Sequence, residues 1–190
     1  MKLSKSTIGI IAAVVVVVMW AASAYNSMVQ VQETATTALS NVQSAYQRRA
    51  DLIPNLVQTV KGYASHEKET LEGVVNARSK ATSITLNAEN IKEYQQAQGE
   101  LSSALGRLIA IGEAYPDLKA NENFRELQVQ LEGTENRINV ERNNFNKAVQ
   151  TYNVAIRKFP SNLLAGIFGF EKMDKFEAAA GSENAPKVEF

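Results

Sequence analysis

The sequence holds no cysteine, one histidine, one tryptophan and four prolines in 190 residues. Without cysteine there is no disulfide staple, no thiolate nucleophile and no zinc-cysteine site, and the chain is indifferent to the redox state of its compartment. The single histidine, His66, is followed by Glu67, but Thr70 stands where a zinc protease places its second histidine. That motif is therefore incomplete, and a lone histidine on a polar stretch reads as a solvated surface residue. The chain also lacks a glycine-rich phosphate loop, a Gly-x-Ser-x-Gly elbow and the Glu-x-x-His pairs that hold two metals inside a bundle. An enzyme, a cofactor and a metal are accordingly not expected, and the carboxylates are dispersed. Excess positive charge is missing too. Twenty basic residues balance twenty acidic ones, which leaves no electrostatic footprint for nucleic acid.

Proline is as informative by its spacing. Prolines at 54, 116, 160 and 186 leave 61 and then 43 proline-free residues between the first three, lengths that favour long helices. Neither Asn-Gly nor Asp-Gly occurs, and the β-branched residues gather mainly in one apolar run, so no β-sheet is expected.

That run, Ile8 to Ala24, has 17 uncharged residues and ends beside Trp20 and Tyr25. Its length and its aromatic border are those of a membrane-spanning helix. Lys2 and Lys5 precede it, and Glu33 is the only charge after it before Arg48. The positive-inside rule then places the N-terminus in the cytoplasm and the rest of the chain outside it. A cleaved signal peptide is the competing reading, with Lys2 and Lys5 as its basic region and Ala22-Ser23-Ala24 as its cleavage pattern. The anchor is preferred. The expected organisation is a short cytoplasmic terminus (1–7), an anchor (8–24), a helical bundle (25–176) and a mobile tail (177–190). Val188 and Phe190 are candidates for docking from that tail.

Beyond the anchor, steps of seven from Met28 reach Ala35, Val42, Arg49 and Leu56, with Val31, Ala38, Ala45 and Leu52 as companions. This is a heptad seam interrupted by one charge. Pro54 predicts a kink or restart near Asp51–Asn55, after which the helix continues to Ala81. The polar stretch Thr82–Asn90 forms the first hairpin turn. A third helix runs from about Ile91 to Ala114 and presents Leu101, Leu105, Leu108 and Gly112, with Gly99, Gly106 and Gly112 read as points of close helix approach. Tyr115-Pro116-Asp117 ends it. Asn121 caps a fourth helix in which Phe124, Leu131, Ile138, Phe145, Tyr152 and Phe159 recur every seven residues until Pro160, about 57 Å of helix. The fold class is therefore all-α: one transmembrane helix followed by an elongated antiparallel bundle of about four long helices.

Two constellations are candidates for function. Arg48, Arg49 and Asp51 lie together in sequence, and Arg49 falls on the seam, where its charge needs a polar partner. Glu113, Glu132 and Glu135 are candidates, with snorkelling from the core edge as the alternative. The second is Ser161–Phe170, whose Leu163, Leu164, Ile167, Phe168 and Phe170 need burial. A short helix folded back as a lid on the bundle end is one solution. A membrane-surface or partner contact at the distal tip is the other.

Four stretches share long words with one family: Tyr25-Asn26, Gln47–Arg78 (QRRADLIPNLVQTVKGYASHEKETLEGVVNAR), Leu105–Phe124 (LGRLIAIGEAYPDLKANENF) and Leu131–Phe170 with its EGTENRINVERNNFNKAVQTYN and FPSNLLAGIFGF. The chain resembles the LemA family of bacterial membrane-anchored helical proteins. The resemblance implies a single-pass membrane protein carrying a helical bundle, kinship with a magnetosome membrane protein, and no enzyme activity; the expected location is the bacterial inner (plasma) membrane. It also brings suggested links to envelope stress and membrane proteolysis, and no catalytic residues to carry over. Together these readings favour a non-enzymatic scaffold or interaction protein of the plasma membrane. Its expected partners are the lipid bilayer and either a second copy, through the small-residue stripe Ala35, Ala38, Val42 and Ala45, or another membrane protein. A ligand-sensing bundle is the alternative. Seven residues before the anchor are too few for an output domain, so such a sensor would signal through a partner membrane protein.

Overall fold

The computed structural model describes residues 4–177. Six helices follow one another: α1 (Lys5–Tyr63), α2 (Lys68–Ser83), α3 (Ile91–Ala114), α4 (Pro116–Ala120), α5 (Glu122–Arg157) and α6 (Ser161–Phe168). No strand occurs among the described residues, and the all-α expectation holds. Of the expected tail, residues 178–190 lie outside the described part of the chain, Val188 and Phe190 among them; so do residues 1–3.

The apolar run and the first bundle helix form a single rod. α1 has 59 residues, about 88 Å at 1.5 Å per residue, and begins at Ser4, whose side chain accepts from the Ser6 N–H. Its first part, Ile8 to Met19, is exposed on all sides, whereas Met28, Ala35, Val42, Arg49 and Leu56 are all buried. The heptad seam is thus real, and it faces α5. The two helices run antiparallel, since Asn121 at the start of α5 donates to the Tyr63 hydroxyl at the end of α1, while Ile156 near the end of α5 shares a cluster with Met28.

Pro54 does not restart the helix. A proline at this position removes the N–H that would bond the Ala50 carbonyl, and a buried carbonyl left so would cost about 1–3 kcal/mol. Arg78 on α2 supplies the missing donor: its Nε lies 2.8 Å from the Ala50 oxygen. Replacing Arg78 with Met is therefore expected to cost about 1–2 kcal/mol, measured by denaturation of the full chain in detergent. Adding Pro54→Ala should suppress the loss, because the restored N–H at 54 takes the carbonyl back. No suppression would mean that Arg78 stabilises the chain by some other contact.

The true break comes later, at Ala64–Glu67, inside the segment expected to stay helical to Ala81. Ala64 is fully buried, the Glu67 N–H bonds the Ala64 carbonyl, and the Tyr115 hydroxyl donates to the Glu67 carboxylate at 3.0 Å. The turn is held from across the fold, so local sequence does not betray it. Thr82–Asn90 is consequently the second reversal, and α2 is a short helix of 16 residues. The long helices are α1, α3 and α5. In the second reversal Asn87 Oδ1 accepts from the Glu89 and Asn90 N–H groups, and Asn90 Oδ1 accepts from Asn87.

α3 has the predicted ends, and Asn121 caps α5 by accepting from the Phe124 N–H at 2.9 Å. Five of the six seam residues of α5 are buried, but Phe159 is 80% exposed because α5 stops at Arg157. Gly112 alone of the three α3 glycines is a close-approach point, against the Phe124 ring; Gly99 and Gly106 face open space.

The bundle changes character along its length. Far from the apolar run, α2 and α3 join α1 and α5 around Leu56, Val60, Val74, Leu101, Leu108 and Phe124. Nearer the run the cluster is built on α1 and α5, around Val42, Ile138, Phe145 and Tyr152, and is completed by Ala165 and Phe176 from the C-terminal segment. The stripe expected to face a second copy is filled from within: Ala35, Val42 and Ala45 are buried, with Ala38 half-buried, in the cluster that α5 completes. Small residues there let α5 come close, and the stripe is not free for another chain.

Candidate functional site

Arg49 lies on the α1 seam between Val42, which belongs to one apolar cluster, and Leu56, which belongs to the other. Only 3% of it is exposed. Its Nη1 donates to Glu135 Oε2 at 2.7 Å and to Ser102 Oγ at 3.0 Å, and Nη2 donates to the Gln98 carbonyl and side-chain oxygens. Tyr46, one turn earlier, places its ring 5.2 Å from the guanidinium carbon, a cation–π distance. Of the three expected acidic partners, Glu135 is the one engaged. Glu113 pairs with Lys119. The Arg49 Nε has no partner, so the group is held by its outer nitrogens alone.

The neighbours of Arg49 in sequence do not join it. Arg48 and Asp51 are exposed, and Asp51 accepts from Gln47 one turn back at 2.8 Å. Arg48 sits roughly 100° and Asp51 roughly 200° round the helix from Arg49, so both point elsewhere. Tyr94 completes the buried layer, edge-on to Tyr46 at 5.2 Å. Burial pushes its phenol up to about 12, and burial likewise raises that of Tyr46. Both are therefore neutral near pH 7, and the charged groups that act on the Tyr46 phenol are Arg142, Arg49 and Glu135. This is a structural polar layer: it joins α1, α3 and α5 and fixes their relative height. It is also the position on the α1 seam where a seven-residue slip would not exchange one apolar side chain for another.

The second constellation lies at the other end from the one expected. α6 packs beside Tyr25, the residue that closes the apolar run, and not at the distal tip: Phe168 and Phe170 meet the Tyr25 ring edge-on at 4.9 and 5.7 Å. The lid expectation holds for one face. Ala165 is buried, and Leu164 and Phe170 are half-buried against the cluster. Leu163, Ile167 and Phe168 remain exposed, at 59, 75 and 51%.

After α6, Gly169 adopts a left-handed φ of 73°, and the chain returns along α5 as an extended strap. Asn153 holds it by donating to the Met173 carbonyl and accepting from the Met173 N–H; Asn146 does the same with Phe176. Seven helical residues rise about 10 Å, and three extended residues span about 10 Å, so the two asparagines match the strap's repeat. The Tyr152 hydroxyl donates to the Glu171 carbonyl. Glu177, expected to begin a mobile tail, is tied by Gln95 at both its N–H and its carbonyl. Sequence reasoning missed the strap. The available signal was a pair of asparagines seven apart in the interior of a helix, each directly after a seam aromatic, where asparagine is a poor helix former.

Among the described residues no group of three or more His, Cys, Asp or Glu side chains is placed to hold a metal. The arrangement defines a class: an all-helical bundle built on a rod whose first part is long and apolar enough to cross a membrane. The LemA family profile matches residues 38–190, and the chain belongs to that family. Its relatives include the magnetosome protein MamQ of Magnetospirillum gryphiswaldense, 30% identical over 180 residues, covering 83% of this chain and 66% of that protein. Magnetosome protein MamQ 2 of Paramagnetospirillum magneticum is 29% identical, over 80% of this chain and 64% of its own length. Protein LemA of Metamycoplasma hominis is 27% identical, over 81% and 67%. The chain thus spans just under two thirds of the MamQ proteins it matches. Neither the family's description nor these names denotes a reaction.

Proposed function

We propose that the protein is a non-enzymatic scaffold of the bacterial cell envelope, a rigid post anchored in the plasma membrane by the first part of α1. The observation that carries this reading is the continuity of α1. The helix passes from the apolar run into the buried seam with no break between them, so tilt or rotation of the anchor is transmitted to the bundle without a hinge. The scaffold presents its surfaces to another membrane protein, and the family's associations with envelope stress and membrane protein quality control fit that role. The N-terminus is cytoplasmic and the bundle extracytoplasmic, on the charge bias of Lys2 and Lys5 against a span followed by few charges.

The absence of native cysteine makes the test clean. Ser65 is exposed in the turn between α1 and α2, and Ser4 lies at the far end of the span. In spheroplasts making the full chain, Ser65→Cys should react with a membrane-impermeant maleimide, and Ser4→Cys should react only after lysis. Both chains should stay in the membrane pellet after alkaline carbonate extraction. The reverse labelling pattern would invert the orientation, and release by carbonate would remove the anchor.

A further inference from the structure

We propose that α6 is a membrane-surface helix: its outward face lies in the lipid interface beside the anchor, making a second, lateral point of attachment for the bundle. The proposal rests on the anchor reading above and goes beyond it.

The outward face of α6 has the composition of a buried one. Ile167 and Leu163 are one turn apart on one side of the helix, and Phe168 follows Ile167 directly, all three exposed. Large apolar side chains scattered singly are ordinary, but three exposed on one eight-residue helix mark a contact surface. α6 itself carries no charge, whereas Arg157 and Lys158 lead into it and Lys172 follows, against Glu171 alone. An apolar face bordered by basic side chains is the pattern of helices that lie in a headgroup layer.

Position identifies the occupant. The patch is continuous with the apolar span, since Phe168 and Phe170 contact Tyr25 directly after its last residue. The span from Ile8 to Ala24 measures about 26 Å along the helix axis, against a hydrocarbon layer of about 30 Å. A span short of the layer draws its flanks toward the interface. Tyr25 therefore sits at the lipid boundary, and α6, packed on Tyr25, sits there with it. A second copy or another protein would have to reach this patch through the headgroups that surround the anchor.

The test uses the full chain in vesicles of phosphatidylcholine and phosphatidylglycerol with brominated acyl chains, which quench indole on contact. Trp20, the only native tryptophan, reports the anchor. In a Trp20→Phe background, Ile167→Trp reports α6 and Val129→Trp, exposed on distal α5, reports the aqueous side. The indole at 167 is expected to lose most of its emission to brominated lipid and little to acrylamide; the indole at 129 should do the opposite. Leu163→Trp repeats the measurement one turn away, in case substitution at 167 disturbs the fold. If lipid quenches Trp20 but spares positions 163 and 167, the proposal is overturned and the anchor stands. Protection of both positions from lipid and acrylamide alike would show a protein contact and also overturn it. If lipid spares Trp20, the anchor reading itself fails, and the surface-helix proposal fails with it.

Discussion

Replacing Glu135 with leucine is expected to destabilise the chain by about 3 kcal/mol, more than replacing Arg49, although the arginine makes most of the bonds. The asymmetry follows from burial. Arg49 is 3% exposed while the Glu135 side chain is 47% exposed. Removing the carboxylate strands a buried cation whose other partners, Ser102 and Gln98, are neutral. Removing the cation instead lets Glu135 turn to water and closes the seam with an apolar side chain. Arg49→Met, close in length and free of charge, should therefore cost only about 1 kcal/mol, the net worth of the lost hydrogen bonds. The double variant should lie near Arg49→Met alone, because with no buried cation the carboxylate has nothing left to neutralise. Urea denaturation of the four chains in detergent measures the cycle. A larger loss for Arg49→Met than for Glu135→Leu, or strict additivity, would show that water reaches the guanidinium and that the layer is weaker than its geometry.

What was legible in the sequence was what depends on period. The Met28–Leu56 seam, the ends of α3 and the Asn121 cap follow from heptad spacing and cap chemistry, which act within a few residues of themselves. The misreadings each involve a partner far along the chain. Pro54 looked like a restart because its missing bond is replaced by Arg78, 24 residues on. The turn at Ala64 was invisible because Tyr115 and a buried alanine hold it. Phe159 kept the register but lies beyond the last turn of α5, so periodicity outran the helix that gave it meaning. The apolar content of Ser161–Phe170 was plain, yet its place beside Tyr25 depends on α5 running antiparallel to α1 for its whole length. The candidate site was legible in part for the same reason. Arg49 stood out against an apolar seam, whereas Arg48 and Asp51 were grouped with it by sequence adjacency, which a helix scatters round its axis.

The three glycines of α3 give the sharpest separation between intrinsic preference and packing. In a helix interior alanine is favoured over glycine by about 1 kcal/mol. At Gly99 and Gly106 an added Cβ meets open space, so alanine at either position should stabilise the chain by up to about that amount. At Gly112 the same methyl would stand 2.5 Å from Phe124 Cε1, with Cζ closer still. Phe124 is 1% exposed at the start of α5, and its backbone is tied there by the Asn121 cap. Gly112→Ala should therefore cost about 2–3 kcal/mol net, as overpacking outweighs propensity. The clash is specific enough to be relieved from the other side. Phe124→Leu alone leaves a cavity and should cost about 1–2 kcal/mol, but in the Gly112→Ala chain the new methyl occupies part of that cavity. The double variant should be no less stable than Phe124→Leu alone. Thermal denaturation of the set, followed by circular dichroism, reads the signs directly. If Gly112→Ala stabilises like Gly106→Ala, α3 and α5 do not approach as closely as drawn, and the cap at Asn121 rather than the glycine sets the distance between them.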